Sequence, residues 1–261
     1  MITLNNLTRR YGDLTAVDHV NLTIPEGQIL GYLGPNGAGK TTTVKMLTGL
    51  IQATEGTASI AGFDISREPI EVKKRIGYVP ESGALYQSLT PSEYLRFVGR
   101  LYGMDADEAE SKIQDICRFF SLKDRMHHRM SEFSKGMRQK VVIASALIHD
   151  PQVIFLDEPL SGLDANTALM LKTLIRNLAD DGKTIFYCSH ILEVVENLCD
   201  RVVIINNGRV VADGSVSELK EMTRKRSLEA VFNQLTVDED LVELVRAFSK
   251  KITAHGKGKQ I

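Results

Sequence analysis

Gly34-Pro35-Asn36-Gly37-Ala38-Gly39-Lys40-Thr41 fits the pattern Gly, four residues, Gly-Lys and then Ser or Thr, which cradles a nucleotide phosphate. Each residue type answers a physical need. The glycines let backbone N–H groups turn inward around phosphate oxygens, and Lys40 brings a mobile positive charge to the outer phosphates. Thr41 offers a hydroxyl to Mg²⁺. Upstream, Gln28-Ile29-Leu30-Gly31-Tyr32-Leu33 reads as a short buried strand. Downstream, Thr42-Thr43-Val44-Lys45-Met46-Leu47 begins a helix whose positive dipole end faces the loop. Strand, loop and helix in that order are the context the pattern requires. The loop alone says only that a nucleotide phosphate binds, so the rest of the chain must choose among the many proteins that share it.

Composition sets the outer bounds. The chain has 261 residues, 43% of them hydrophobic and 25% charged, with a net charge of −1. That is enough for one large domain or a nucleotide-binding core with a smaller appended subdomain, and it gives no sign of bulk nucleic-acid affinity. Cys117, Cys188 and Cys199 are scattered without metal-ligand spacing, so reduced thiols are expected and no chemistry is assigned to them. The start at Met1-Ile2-Thr3-Leu4 lacks the pattern of a signal peptide. Apolar runs such as 141–148 are far short of the ~20 residues that cross a bilayer, so a membrane role would need a partner.

The remaining segments surround the loop with candidate chemistry. Ile2 to Ile24 alternates apolar and polar residues around Tyr11-Gly12-Asp13 and predicts an antiparallel meander. Tyr11 either stacks on an adenine ring or caps the sheet edge. A strand and turn are expected at 57–62 and a strand ended by proline at 75–80, and Tyr94, Leu95, Val98, Leu101, Tyr102, Ile113, Ile116 and Phe120 recur at helical spacing, as core packing of a helical insertion. Ser134 is placed to cap the helix through Val141 to Ile148, and the N–H groups behind it can serve as cap or as anion site. His127-His128 has no acidic or cysteine ligand at metal spacing and reads as solvated loop.

Gln152-Val153-Ile154-Phe155-Leu156-Asp157-Glu158 is an apolar run ending in two carboxylates, the mark of a buried parallel strand that delivers acids to its C-terminal edge. There Asp157 can hold Mg²⁺ while Glu158 polarises the attacking water, unless the pair merely caps the next turn. Asp164 is expected to cap a helix over 165–178. A further strand, Thr184 to Cys188, ends at Ser189-His190, where an imidazole can meet a terminal phosphate. Val202 to Ile205 and Arg209 to Ala212 predict a hairpin through Asn206-Asn207-Gly208, and Ser215 starts a short helix. The sequence from Leu241 to Phe248 has helical periodicity, and the basic tail from Lys250 reads as a mobile, solvated segment.

Together these motifs resemble the ATP-binding cassette ATPases, from Leu4 to about Thr223. Gly34 to Thr41 looks like the family's Walker A, 153–158 like Walker B with its glutamate, Phe133-Ser134-Lys135-Gly136-Met137 like the signature, 161–164 like the D-loop, His190 like the switch histidine and Tyr11 like the adenine-stacking aromatic. The resemblance implies an α/β fold: a P-loop core with a parallel sheet, an antiparallel β subdomain, and a helical subdomain at about 88–150, in a cassette of 1–223 with an extension at 224–261. It implies ATP and Mg²⁺ as ligands. Nucleotide-binding residues would be Tyr11, the loop with Thr42, the signature residues Ser134, Lys135, Gly136 and Met137, and Asp164. Glu158, His190 and Lys40 would be catalytic, and Thr41, Asp157 and Glu81 would hold the metal.

The signature departs from the commonest form at Phe133, Lys135 and Met137, and Glu81 stands where the family usually carries glutamine. A head-to-tail pair with a second copy, or a homologous subunit, is implied, with two ATP molecules between P-loops and opposing signatures. So is a separate permease at the cytoplasmic face of the cell membrane, and Leu228-Glu229-Ala230-Val231-Phe232 is similar to exporters of the ABC-2 class. The competing expectation, a cassette ATPase acting on ribosomes or DNA, would call for a second cassette or a long coiled coil. A GTPase switch would call for Asn-Lys-x-Asp, and the sequence has none of these.

Overall fold

Four apolar runs with few polar interruptions are buried over nearly their whole length, as strands covered on both faces must be. The computed structural model describes residues 1–82 and 85–236, so the helix expected at 241–248 and the basic tail lie outside the described residues. The chain begins with β1 (Ile2–Tyr11), β2 (Leu14–Ile24) and β3 (Ile29–Leu33), then α1 (Lys40–Leu47), β4 (Glu55–Ile60), β5 (Phe63–Asp64), α2 (Pro69–Arg75) and β6 (Ile76–Val79). Three helices follow: α3 (Pro91–Leu101), α4 (Ala106–Phe119) and α5 (Lys135–Leu147). Next come β7 (Val153–Asp157), α6 (Ala165–Asp180), β8 (Thr184–Cys188) and α7 (Leu192–Leu198). The last described elements are β9 (Arg201–Asn206), β10 (Arg209–Gly214), α8 (Val216–Thr223) and α9 (Leu228–Thr236).

Six strands form one sheet in the order β10-β9-β3-β8-β7-β6, parallel except for β10, and β2-β1-β4-β5 form a second, antiparallel sheet. The two-residue side-chain period sends alternate residues of each central strand to opposite faces. Leu30, Tyr32, Phe155, Phe186 and Val203 join the side chains of the antiparallel sheet. Ile29, Leu33, Ile154, Leu156, Ile185 and Tyr187 face the helices. Tyr32 and Phe155 pack on the Phe186 ring at 4.9 Å and 5.5 Å, joining three neighbouring strands.

Side-chain caps start the three helices α3 to α5. Thr90 and Glu93 form a reciprocal capping box on α3, Asp105 caps α4, and Ser134 caps α5 by accepting the Met137 N–H at 3.2 Å. Leu95, Val98, Ile113 and Phe120 are buried as their spacing predicts. Leu101 and Tyr102 differ from the core packing expected of them, at 69% and 38% exposed. Leu101 stands at the rim of the apolar stripe in the last helical residue, and Tyr102, past that residue, stacks on His149 with ring centroids 3.6 Å apart.

Residues just past 223 pack on the cassette. In α9, Leu228 and Val231 are fully buried in the same core as α5 and β7, and Glu196 of α7 binds both Lys220 of α8 and the Leu228 N–H. Burying two such side chains is worth about 1.5–3 kcal/mol each, which holds the first part of the extension onto the cassette. Among the described residues, no helix is long and apolar enough to cross a membrane. Cys117, Cys188 and Cys199 are all buried and unpaired.

Candidate functional site

The parallel register brings three strand ends to one edge. Tyr32 of β3 and Asp157 of β7 both pair with Cys188 of β8, so the loop after each strand opens at the same level. β3 lies between β9 and β8, and the crevice at the carboxyl ends beside it is where open α/β sheets bind ligands. A cleft of about 360 Å³ occupies that position, lined by Asn36, Gly37, Gly39, Lys40, Thr41 and Thr42 on one side and by Glu81, Asp157, Glu158 and His190 on the other. A larger cleft of about 530 Å³ near the C-terminal end of α1 has, among the described residues, Lys73 as its one charged lining residue and no acid.

The loop is built for close approach. Gly39 has φ +108°, and a Cβ there would stand 2.3 Å from the Ala16 carbonyl oxygen, so no other residue fits between the loop and β2. Ala38 is buried, and its N–H bonds the Pro35 carbonyl at 3.1 Å to close the turn. Lys40 Nζ donates to the Gly34 and Pro35 carbonyls at 2.7 Å and 3.0 Å. An ammonium has three donors, so one remains for a phosphate oxygen.

The acids opposite are unequal. Asp157 is 2% exposed, and its carboxyl is pushed up to about 6, first by burial and then by the charge of Glu81, against the Thr41 hydroxyl that donates to it at 3.3 Å. A buried carboxylate with acidic neighbours and hydroxyl oxygen beside it suits a small hard cation, which asks for oxygen ligands and keeps most of its shell as water and substrate phosphate. Among the described residues, no three His, Cys, Asp or Glu side chains are grouped to hold a metal by themselves, so the fit is to Mg²⁺ arriving with phosphate.

Glu158 follows β7 with its N–H on the Cys188 carbonyl at 3.0 Å. Its Oε1 accepts from the His190 N–H and from His190 Nδ1, both at 2.8 Å, and its Oε2 accepts from the Ser189 hydroxyl at 3.2 Å. Ser189 matches no motif and is not among the site residues expected from the sequence. Its only signal was its place beside His190 at the end of an apolar strand.

Other predicted residues stand elsewhere. Tyr11 lies at the tip of the β1–β2 hairpin, 45% exposed, with the Arg9 guanidinium 4.5 Å from its ring centre, and it does not line the cleft. Ser134, Lys135, Gly136, Met137 and Asp164 do not line it either. Gly136 instead packs so closely on the D-loop that a Cβ would stand 2.6 Å from the Gly162 carbonyl oxygen, and Lys135 Nζ donates to the Ser161 hydroxyl at 3.2 Å. Asp164 caps α6, accepting from the Thr167 hydroxyl and N–H at 2.6 Å and 3.0 Å, bonds that lower its pKa. Signature and D-loop thus touch each other and stand apart from the cleft of the same chain.

A family model described as ABC transporter matches residues 17–161. The ABC transporter ATP-binding protein NatA of Bacillus subtilis (strain 168) is 43% identical over 238 residues, covering 89% of this chain and 96% of that protein. The solved structure of an ATP-binding subunit of an ABC transporter matches with a TM-score of 0.86 at 32% identity, over 90% of this chain and 99% of that one. A dimeric ATP-binding cassette in a post-hydrolysis state, bound to ADP and Pi, matches with a TM-score of 0.76 at 26% identity, over 82% of this chain and 98% of that one.

Proposed function

The chain belongs to the family of ABC transporter ATP-binding proteins, an ATPase family, and from that premise we propose that it drives a separate membrane permease, as one of two paired cassettes at the cytoplasmic face of the membrane. One observation carries the reading: Lys40, Asp157, Glu158 and His190 converge on one cleft beside the loop at the carboxyl edge of the parallel sheet.

ATP is the substrate. Gly34 to Thr42 would wrap its phosphates with backbone N–H groups, and Lys40 would place its free donor on the outer oxygens. Thr41 and Asp157, with Glu81, would hold Mg²⁺, which when bound neutralises phosphate charge. Glu158 would take a proton from water as the water oxygen attacks the γ-phosphorus, while the bond from that phosphorus to the bridging oxygen breaks and ADP leaves. His190 would hydrogen-bond the γ-phosphate, its exposed ring turning from Glu158 to do so.

Ser134 to Met137 and Asp164 stand outside the cleft of their own chain, which suits contribution to the site of a second copy or a homologous subunit. ATP would close the pair, hydrolysis would reopen it, and the motion would pass to the permease. The resemblance of 228–232 to exporters supports export as the direction. Co-expression with the membrane protein of the adjacent reading frame should carry the chain into the membrane fraction. Recovery with ribosomes or nucleic acid instead would contradict this reading.

Tyr11 would stack on the adenine through the ring that the hairpin tip leaves exposed. Tyr11→Ala should weaken ATP about three- to tenfold by titration and leave inorganic triphosphate unchanged. Equal weakening of both would remove the stacking role.

A further inference from the structure

Ser189 stands at the end of β8, 2% exposed, and takes no part in the reaction as described above. Its Oγ accepts the Ile191 N–H at 3.1 Å and lies 3.2 Å from Glu158 Oε2. An ionised carboxylate can only accept, so the single hydroxyl proton must point at Oε2 while the Ile191 N–H fixes the hydroxyl from the other side. The two oxygens of Glu158 therefore have different holders. Oε2 is held by a buried side chain, whereas Oε1 is held by the His190 backbone and by a His190 ring whose side chain is 73% exposed. The backbone adds to this constraint. Glu158 has φ +52°, a left-handed conformation that glutamate rarely adopts, and its carboxylate is bound by residues 189 and 190.

We propose that Ser189 is a positioning residue for water activation, an inference that rests on reading Glu158 as the base. Ser189 anchors Oε2 so that the carboxylate stays aimed, and Oε1 exchanges the exposed imidazole for the attacking water. The proton of that water passes to Oε1 as its oxygen bonds to the γ-phosphorus and the bond to the bridging oxygen breaks. Ser189 does not line the nucleotide cleft, so it acts on the chemical step and not on ATP binding.

Steady-state and single-turnover hydrolysis of Ser189→Ala, Ser189→Thr and Glu158→Gln, with thermal midpoints of each, test this. Alanine removes only an oxygen and fits the same space. It should lower kcat about tenfold, the effect of losing a hydrogen bond to a charged group, and leave the KM for ATP within about twofold. Threonine restores the hydroxyl and should restore kcat. A Ser189→Ala kcat within about twofold of the parent overturns the proposal, as does a KM that rises in step with the loss, or a fully folded Ser189→Thr that stays as slow as the alanine variant. If Glu158→Gln is inactive while Ser189→Ala is unchanged, this proposal alone fails. If Glu158→Gln keeps its turnover, the assignment of the base fails with it.

Discussion

Glu158→Gln is expected to lower ATP turnover by about 10²–10⁴-fold while ATP affinity stays within about threefold. The amide matches the carboxylate in size but cannot take a proton from water, and its NH₂ would face one of the donors at Ser189 and His190 that the carboxylate now accepts. The loss should fall on kcat, because Glu158 meets the transition state and not the ground-state phosphates. Phosphate release measured under saturating ATP decides the point. Unchanged turnover would remove Glu158 as the base and leave Asp157, whose carboxyl is already pushed up to about 6, as the remaining buried acid in the cleft.

Lys40→Ala is expected to weaken ATP about 10- to 100-fold and to abolish measurable turnover at ordinary ATP concentrations. The side chain bonds only the carbonyls of its own loop, at 2.7 Å and 3.0 Å, so its removal leaves the core of the sheet untouched. What is lost is the one lysine or arginine, among the described residues, that lines a cleft also holding Glu81, Asp157 and Glu158. Without it, triphosphate would enter against carboxylate charge with backbone N–H groups alone in its favour. Calorimetric titration with ATP, beside a circular dichroism spectrum matching the parent, separates lost binding from lost fold. Undiminished affinity in a folded variant would show that the phosphates bind elsewhere.

Much of the fold was legible because its strands are unusually explicit. β3, β7, β8 and β9 are short apolar runs bounded by turn residues, and the chemistry stands at their ends, so motif and strand end coincide at Gly34, Asp157 and His190. Asn207-Gly208, both at positive φ, gave the β9–β10 hairpin by the same local logic. Pairing between distant segments left no such mark. That β1 lies against β4, with Ile2 opposite Ile60, is set by shared burial and not by either strand's own alternation, and β1 is interrupted by register shifts that alternation does not reveal.

The packing of α9 was hidden for a related reason. Its anchors are Glu196 and the α7 face, remote in sequence, and a short apolar helix carries no sign of which surface it covers. Ser189 was hidden by being ordinary. Serine has no single role, and its hydrogen bond to Glu158 exists only because β7 and β8 are neighbours and Glu158 turns left-handed at the end of its strand.

On the proposed function, Gly34 to Thr41 forms half of an ATP site whose other half comes from a second copy. The most direct test is the mass of Glu158→Gln in solution by light scattering, with ATP and Mg²⁺ and then with ADP and Mg²⁺. Twice the mass of the single chain with ATP, falling to one chain with ADP, is the predicted result. A single chain in saturating ATP, with nucleotide bound, would contradict it.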